Sequence, residues 1–224
     1  MRRLGSVLDA RSPVTDGRRQ RVVRSMYHEG PRFRPWVWRF ATLMALSVSL
    51  ASLGLVADSA AVIIGAMVVA PLMGPVLGVS AAIVRGWPTR GLQQALVVLV
   101  AAGGAIALAA AMSLAVASFE TPPAELLART EPNIRDLGVA MLAGTVGAYT
   151  IVRREAAEAM AGAAIAVALV PPLATVGISL QFGRIDMAVG ALLLVLANVT
   201  GVMFAGAITF IFVGFVPGMT LAQG

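Results

Sequence analysis

The 224 residues contain no cysteine, no lysine and a single histidine, His28. Without cysteine there is no disulfide, no thiol nucleophile and no thiolate metal site. His28 lies in a polar N-terminal stretch, so no histidine-based metal centre or catalytic triad can form within the apolar body of the chain. Charged residues reach only 12 %, about half the share of a soluble domain. The apolar stretches hold no acid or base near their middles. With no nucleophile–base pair and no ligand cluster in view, the chain reads as a non-enzyme that uses no cofactor and no metal.

Apolar residues make up 58 % of the chain and lie in long blocks, which marks an integral membrane protein. Six stretches are long enough to span or nearly span a bilayer. They are Trp36–Val56, Ser59–Val84, Leu92–Ser118, Leu137–Val152, Ala156–Leu180 and Met187–Val213. No water-soluble domain remains. The expected organisation is an arginine-rich arm over 1–35, poorly ordered or lying on an anionic leaflet, then one membrane domain over 36–216 and a short tail over 217–224.

All seventeen basic residues are arginine, and ten precede residue 40. A sequence pI near 11.3 could suggest nucleic acid, but the arginines cluster beside membrane segments, so no nucleic-acid partner is expected. With the N-terminus inside, fourteen arginines fall on inner segments and three on outer ones. By the positive-inside rule this predicts a multi-pass protein of a bacterial-type inner membrane, with both termini cytoplasmic. Trp36, Trp38 and Trp87 fall at the inner interface. The loop over 119–136, with Pro122, Pro123 and Pro132, falls outside.

The second stretch contains Gly65-Ala66, Leu72 and Pro75; the fifth contains Gly162-Ala163, Leu169 and Pro172. One offset of 97 residues relates the sets, and it also matches Val79 with Val176 and Asp58 with Glu155. Halves over 36–118 and 133–215 hold three spans each, an odd number, so the second half must run inverted. The fold class is therefore all-α: about six transmembrane helices as two inverted repeats, with the second and fifth helices broken by proline and glycine. Such broken, antiparallel segments form the sites of many secondary transporters.

Pro71 and Pro75 lack N–H groups, as do Pro171 and Pro172, and each is expected to free a carbonyl one turn earlier. Freed backbone groups must be buried in protein or line a wet cavity, and half-helix N-termini carry partial positive charge. Gly65, Pro71, Gly74, Pro75, Ser80, Gly162, Pro171, Pro172, Thr175 and Asn198 are the candidate substrate-binding positions, with Gly74 or its neighbours expected close to Val170–Pro172. Asn198 is the costliest of them to bury unpaired. The plainer alternative is that the prolines and glycines only shape tight helix packing. Asp58 and Glu155 sit at helix starts, where they can cap the helix or gate a mouth.

The stretches "ADSAAVIIGAMVVAPLMGPVLG", "RTEPNIRDL", "AMAGAAIAVALVPPLATVG" and "GALLLVLANVTG" together resemble an uncharacterised hydrophobic-domain membrane family, domain of unknown function 389. The resemblance covers about Trp36 to Val213. It implies the membrane architecture and assigns no activity. The positions it singles out include Asp58, Gly65, Pro71, Pro75, Arg129, Pro132, Asn133, Gly162, Pro171, Pro172 and Asn198. Arg129 and Asn133 join the gating or capping candidates on this ground.

Three classes of function remain, and the third, a membrane enzyme, has the poorest case because no nucleophile–base or metal constellation appears in the spans. One is a transporter or channel for a small ion or polar solute; the absence of a midplane carboxylate tilts it toward an anion or neutral solute. The second is a non-transporting assembly or regulatory membrane protein, in which the motifs only pack helices. A homo-oligomer is compatible with either. The lipid bilayer is a partner in each.

Overall fold

A computed structural model describes residues 26–27, 33–115, 121–152 and 169–215, which form α-helices and no strand. The helices are α1 (Phe33–Val56), α2 (Ala60–Val69), α3 (Met73–Arg85), α4 (Pro88–Ser113), α5 (Ala124–Leu127), α6 (Ile134–Val152), α7 (Val170–Gln181) and α8 (Ile185–Phe212).

α1, α4 and α8 run 24, 26 and 28 residues and are apolar enough to cross a membrane. At 1.5 Å per residue each exceeds the ~30 Å hydrocarbon core. α2 and α3 together pass the same test as one span bent by 52°. α6 has 19 residues and carries Arg135 and Asp136 in its first turn. Of the fifth expected stretch, only the part from Leu169 onward lies within the described residues. Large apolar side chains cover the exterior: Leu92, Leu99 and Val100 of α4 and Leu193, Leu196 and Phe204 of α8 are more than half exposed. That surface belongs in lipid rather than water.

The buried faces consist largely of small residues. α4 turns Ala101, Ala105 and Ala109 inward, and α6 turns Ala140, Ala143, Gly144, Gly147 and Ala148 inward. Small residues let helix backbones approach, and that is the main source of helix association in lipid. The tightest helix–helix approach sets α7 on α4: a Cβ on Gly177 would collide with the carbonyl of Ile106 and come within 2.9 Å of Ala109 Cβ. At the crossing of α3 and α8, a Cβ on Gly206 would lie 2.6 Å from Leu77 and 3.5 Å from Ser80 Oγ.

The chain ends its helices in one repeated way. Gly86, Gly183 and Gly214 have φ of 65°, 68° and 75°, and Asp58 has φ of 50°. Each follows a helix in the left-handed conformation, and the next N–H donates to the carbonyl five residues back. The pairs are Trp87 to Ala82, Arg184 to Ser179, Phe215 to Phe210 and Ser59 to Gly54, at 2.8–2.9 Å. These are Schellman endings.

Two of them repeat at the 97-residue spacing. Gly183 lies 97 residues beyond Gly86, and the starts of α7 and α8 lie 97 beyond those of α3 and α4. The residues between turn and helix match as well: Trp87 has φ −106°, ψ 76° and Arg184 has φ −88°, ψ 75°.

Replacing Gly177 with valine should force α7 off α4 and cost about 1–3 kcal/mol, the usual range for overpacking. Gly103→Ala, where nothing lies within 4 Å of an added Cβ, should leave stability unchanged or slightly raised. Thermal midpoints in detergent, compared with the unmodified protein, test the pair.

Candidate functional site

The break between α2 and α3 occupies Ala70–Leu72. Ala70 is extended, with φ −65° and ψ 122°, and its N–H donates to Met67. The Met67 carbonyl, which Pro71 was expected to free, is thus taken up by Ala70. Pro75 also differs from expectation. It is the third residue of α3, where a helix has no N–H partner to lose. Pro71 therefore marks the break, and Pro75 starts the next helix. Pro171 and Pro172 do the same for α7, as its second and third residues. At such starts the first-turn N–H groups lack helical acceptors. Open space lies beside the break: a Cβ on Gly65 or Gly74 would meet nothing within 4 Å.

Neighbouring helices fix the level of the break. Leu77 sits between Gly147 of α6 and Gly206 of α8, with approaches of 2.9 and 2.6 Å to their virtual Cβ atoms. One turn earlier on α8, the backbone of Val202 covers Gly144. Another turn back along α8 is Asn198, and the same distance back along α3, roughly two turns or 11 Å, is the break. Asn198 is 6 % exposed, and its Oδ1 has no hydrogen-bond partner among the described residues. Ser52, Ser179 and Gln94 also hold buried oxygens with no partner there.

The other candidates fall elsewhere. Ser80 is fully buried at the Gly206 crossing and its hydroxyl donates to Val76 at 3.4 Å; Thr175 donates to Pro171 at 3.0 Å. Both hydroxyl protons are spent within their own helices. Gly162 and Glu155 lie outside the described residues. The expected meeting of Gly74 with Val170–Pro172 differs in form: Val170–Pro172 are helical, and α7 packs on α4, α8, α1 and α2, while α3 packs on α4, α8 and α6. α3 leans on α8 and α7 leans on α4, so the break meets α7 through α2.

Asp58, Arg129 and Asn133 build the connection over residues 121–133. Asp58 does not cap α2, because its left-handed backbone turns it elsewhere: its Oδ1 accepts the N–H of Glu125 at 2.7 Å, capping α5. Arg129 pairs with the Glu125 carboxylate at 2.7 Å and also donates to the Glu125 carbonyl. Asn133 caps α6: its Oδ1 accepts from Arg135 at 2.8 Å, while its own N–H donates to Asp136 Oδ2 at 2.9 Å, a capping box.

A cluster that sequence reading missed lies at the end of α3. Arg85 stacks 4.6 Å from the Trp87 ring centroid and 5.2 Å from that of Phe215, and donates to the Phe215 carbonyl at 2.8 Å. Arg90 stacks on Trp87 and Tyr27. Tyr27 is 6 % exposed and its hydroxyl donates to the Gly78 carbonyl at 2.8 Å. Residues from both ends of the described chain are thereby pinned to roughly the last two turns of α3. The arginine–aromatic spacing over Arg85–Arg90 was the available signal.

Burial pushes the Tyr27 hydroxyl up to about 12, with Arg90 and then Arg85 pulling weakly the other way. A raised folded value means the contact is intact below the ordinary tyrosine value of about 10 and is lost as pH rises toward 12. Ultraviolet titration of tyrosinate should therefore show one tyrosine ionising near pH 12, with loss of stability over that window. Tyr27→Phe should remove that late step.

Helices long and apolar enough for a bilayer, with one further pair bent at a proline-containing break, mark a membrane protein that is helical without strands among the described residues. The family described as "Domain of unknown function (DUF389)" matches residues 67–204, more than half of the chain. The chain belongs to that family. It is also similar to an uncharacterised protein of Methanocaldococcus jannaschii, 27 % identical over 177 residues, which cover 78 % of this chain and 54 % of that one. The chain thus spans about half the length of this curated relative. No solved structure matches.

Proposed function

We propose that this protein is a transporter or channel for a small ion or polar solute, built from two inverted repeats in a bacterial-type inner membrane. The observation that carries this reading is the exchange of contacts at one spacing. Ser80 lies against Gly206, and Gly177 lies against Ala109. Positions 80 and 177 differ by 97, and so do 109 and 206. Two halves related by a two-fold axis produce this reciprocal pairing; packing without such an axis has no reason to. An odd number of spans per half puts that axis in the membrane plane.

The solute would meet the first turn of α3 beside Pro71 and Gly74, with Asn198 at the same level. An asparagine buried in a membrane without a partner is costly, and a polar solute would supply the partner. Fourteen arginines on the inner side against three on the outer support cytoplasmic termini.

Cysteine introduced at Thr121 should react with an impermeant reagent from outside, and cysteine at Thr89 should not; the reverse would invert the topology. Proteoliposomes should release chloride, potassium or glycerol faster than protein-free vesicles, for at least one of the three. Asn198→Leu should cut that release at least about tenfold, equivalent to about 1.4 kcal/mol, with an unchanged or higher thermal midpoint. No release above background from folded protein would replace this reading with the assembly-protein one.

A further inference from the structure

The two halves differ in one seam. In the second half α6 and α8 are closed on each other: a Cβ on Gly201 would lie 2.9 Å from Leu137 and 3.2 Å from Ala140, and one on Gly144 would lie 2.6 Å from the Val202 carbonyl. In the first half the corresponding helices, α1 and α4, enclose a groove of about 450 Å³, lined only by apolar residues. Phe40 and Gly104 both line it, and they stand 97 residues before Leu137 and Gly201. A Cβ on Gly104 meets nothing within 4 Å. The same pair of positions is thus in contact in one half and parted in the other.

We infer that the protein exchanges these two seams: in a second conformation α1 closes on α4, bringing Phe40 onto Gly104, while α6 parts from α8. The side chains support both arrangements. The groove's walls include Ala41, Ala45, Ala101, Gly104 and Ala105, small enough for the close helix contact that Ala140, Gly144 and Gly201 make in the second half. The shared elements stay in place, because the α4–α7 and α3–α8 crossings are matched in the two halves. Packed interfaces of this kind switch between discrete arrangements rather than deforming continuously. Parting α6 from α8 would uncover the wall beside Val202 and Asn198, and closing α1 on α4 would seal the opposite half. This exchange rests on the repeat pairing and not on transport; distances that exchange without solute release would leave it standing.

The cysteine-free chain allows spin labels in the complete protein. One pair goes on Val37 and Val100, which flank the groove; the other goes on their counterparts Ile134 and Ala197. Double electron–electron resonance in lipid nanodiscs should give two distances for each pair, with complementary weights. Gly201→Ala, which wedges the closed seam, should raise the short Val37–Val100 population about threefold and lengthen Ile134–Ala197 to match. Gly104→Leu, which fills the groove, should abolish the short population. One distance for both pairs in all three backgrounds, or a wedge that moves Ile134–Ala197 alone, would overturn the exchange. Should Gly201→Ala not fold, a Phe40→Cys/Gly104→Cys protein decides: a disulfide needs Cα atoms about 4.4–6.8 Å apart, so oxidative cross-linking supports closure and its absence overturns it.

Discussion

Two helix crossings govern the arrangement of this protein. At Gly177 the backbone of α7 rests on the carbonyl of Ile106 and on Ala109; at Gly206, α8 receives Leu77 of α3. In lipid, apolar side chains gain nothing by turning inward, so helices associate through dispersion at short range and through hydrogen bonds. A missing side chain at the crossing allows that short range. Once α7 is held on α4 and α3 on α8, each proline-led helix is committed to the far helix of the other half. The start of α3 is then held between α6 and α8 at Leu77, and Leu72 at the end of the break is buried, in keeping with the cost of an interrupted backbone ladder in hydrocarbon.

The Schellman endings serve the same constraint. A helix end in or near a membrane leaves carbonyls without partners, and the left-handed residues at 58, 86, 183 and 214 return N–H groups to those carbonyls. Three are glycine. The fourth, Asp58, tolerates the conformation because a short polar side chain suits it, and it uses its carboxylate to hold α5. One residue thereby ends α1 and anchors the connection between the halves.

Part of the organisation was legible in the sequence because it is written in composition: long apolar blocks, and prolines inside apolar stretches. The family was legible from four motifs taken together. The 97-residue spacing was legible from Gly65, Leu72 and Pro75 and their partners, but its clearest expression was not. Gly86 stands in Arg-Gly-Trp and Gly183 in Phe-Gly-Arg, so a shared backbone angle hides behind unlike neighbours. The roles of the prolines were misassigned for a related reason. A proline shows that a backbone donor is missing, but whether it interrupts a helix, as at Pro71, or begins one, as at Pro75, depends on where the adjoining helix starts. Tertiary facts were out of reach altogether: that α7 meets the break through α2, or that Tyr27 reaches Gly78, follows from crossings whose closeness no periodicity encodes.

Asn198 has no polar counterpart at the 97-residue spacing. Asn198 stands where the first half has Ala101, yet both positions face inward and both are buried. If the amide served packing alone, alanine or leucine would do the same work without an unpaired oxygen, whose burial costs about 1–3 kcal/mol. A stability cost retained at this position and not at its counterpart, Ala101, is better explained by a demand that arises at this position. An intermittently present polar partner makes such a demand, because it satisfies the amide when bound and leaves it wanting when gone. In the transport reading proposed here, that alternation is useful: an amide satisfied permanently by protein would hold nothing, and one satisfied too well by solute would not release it.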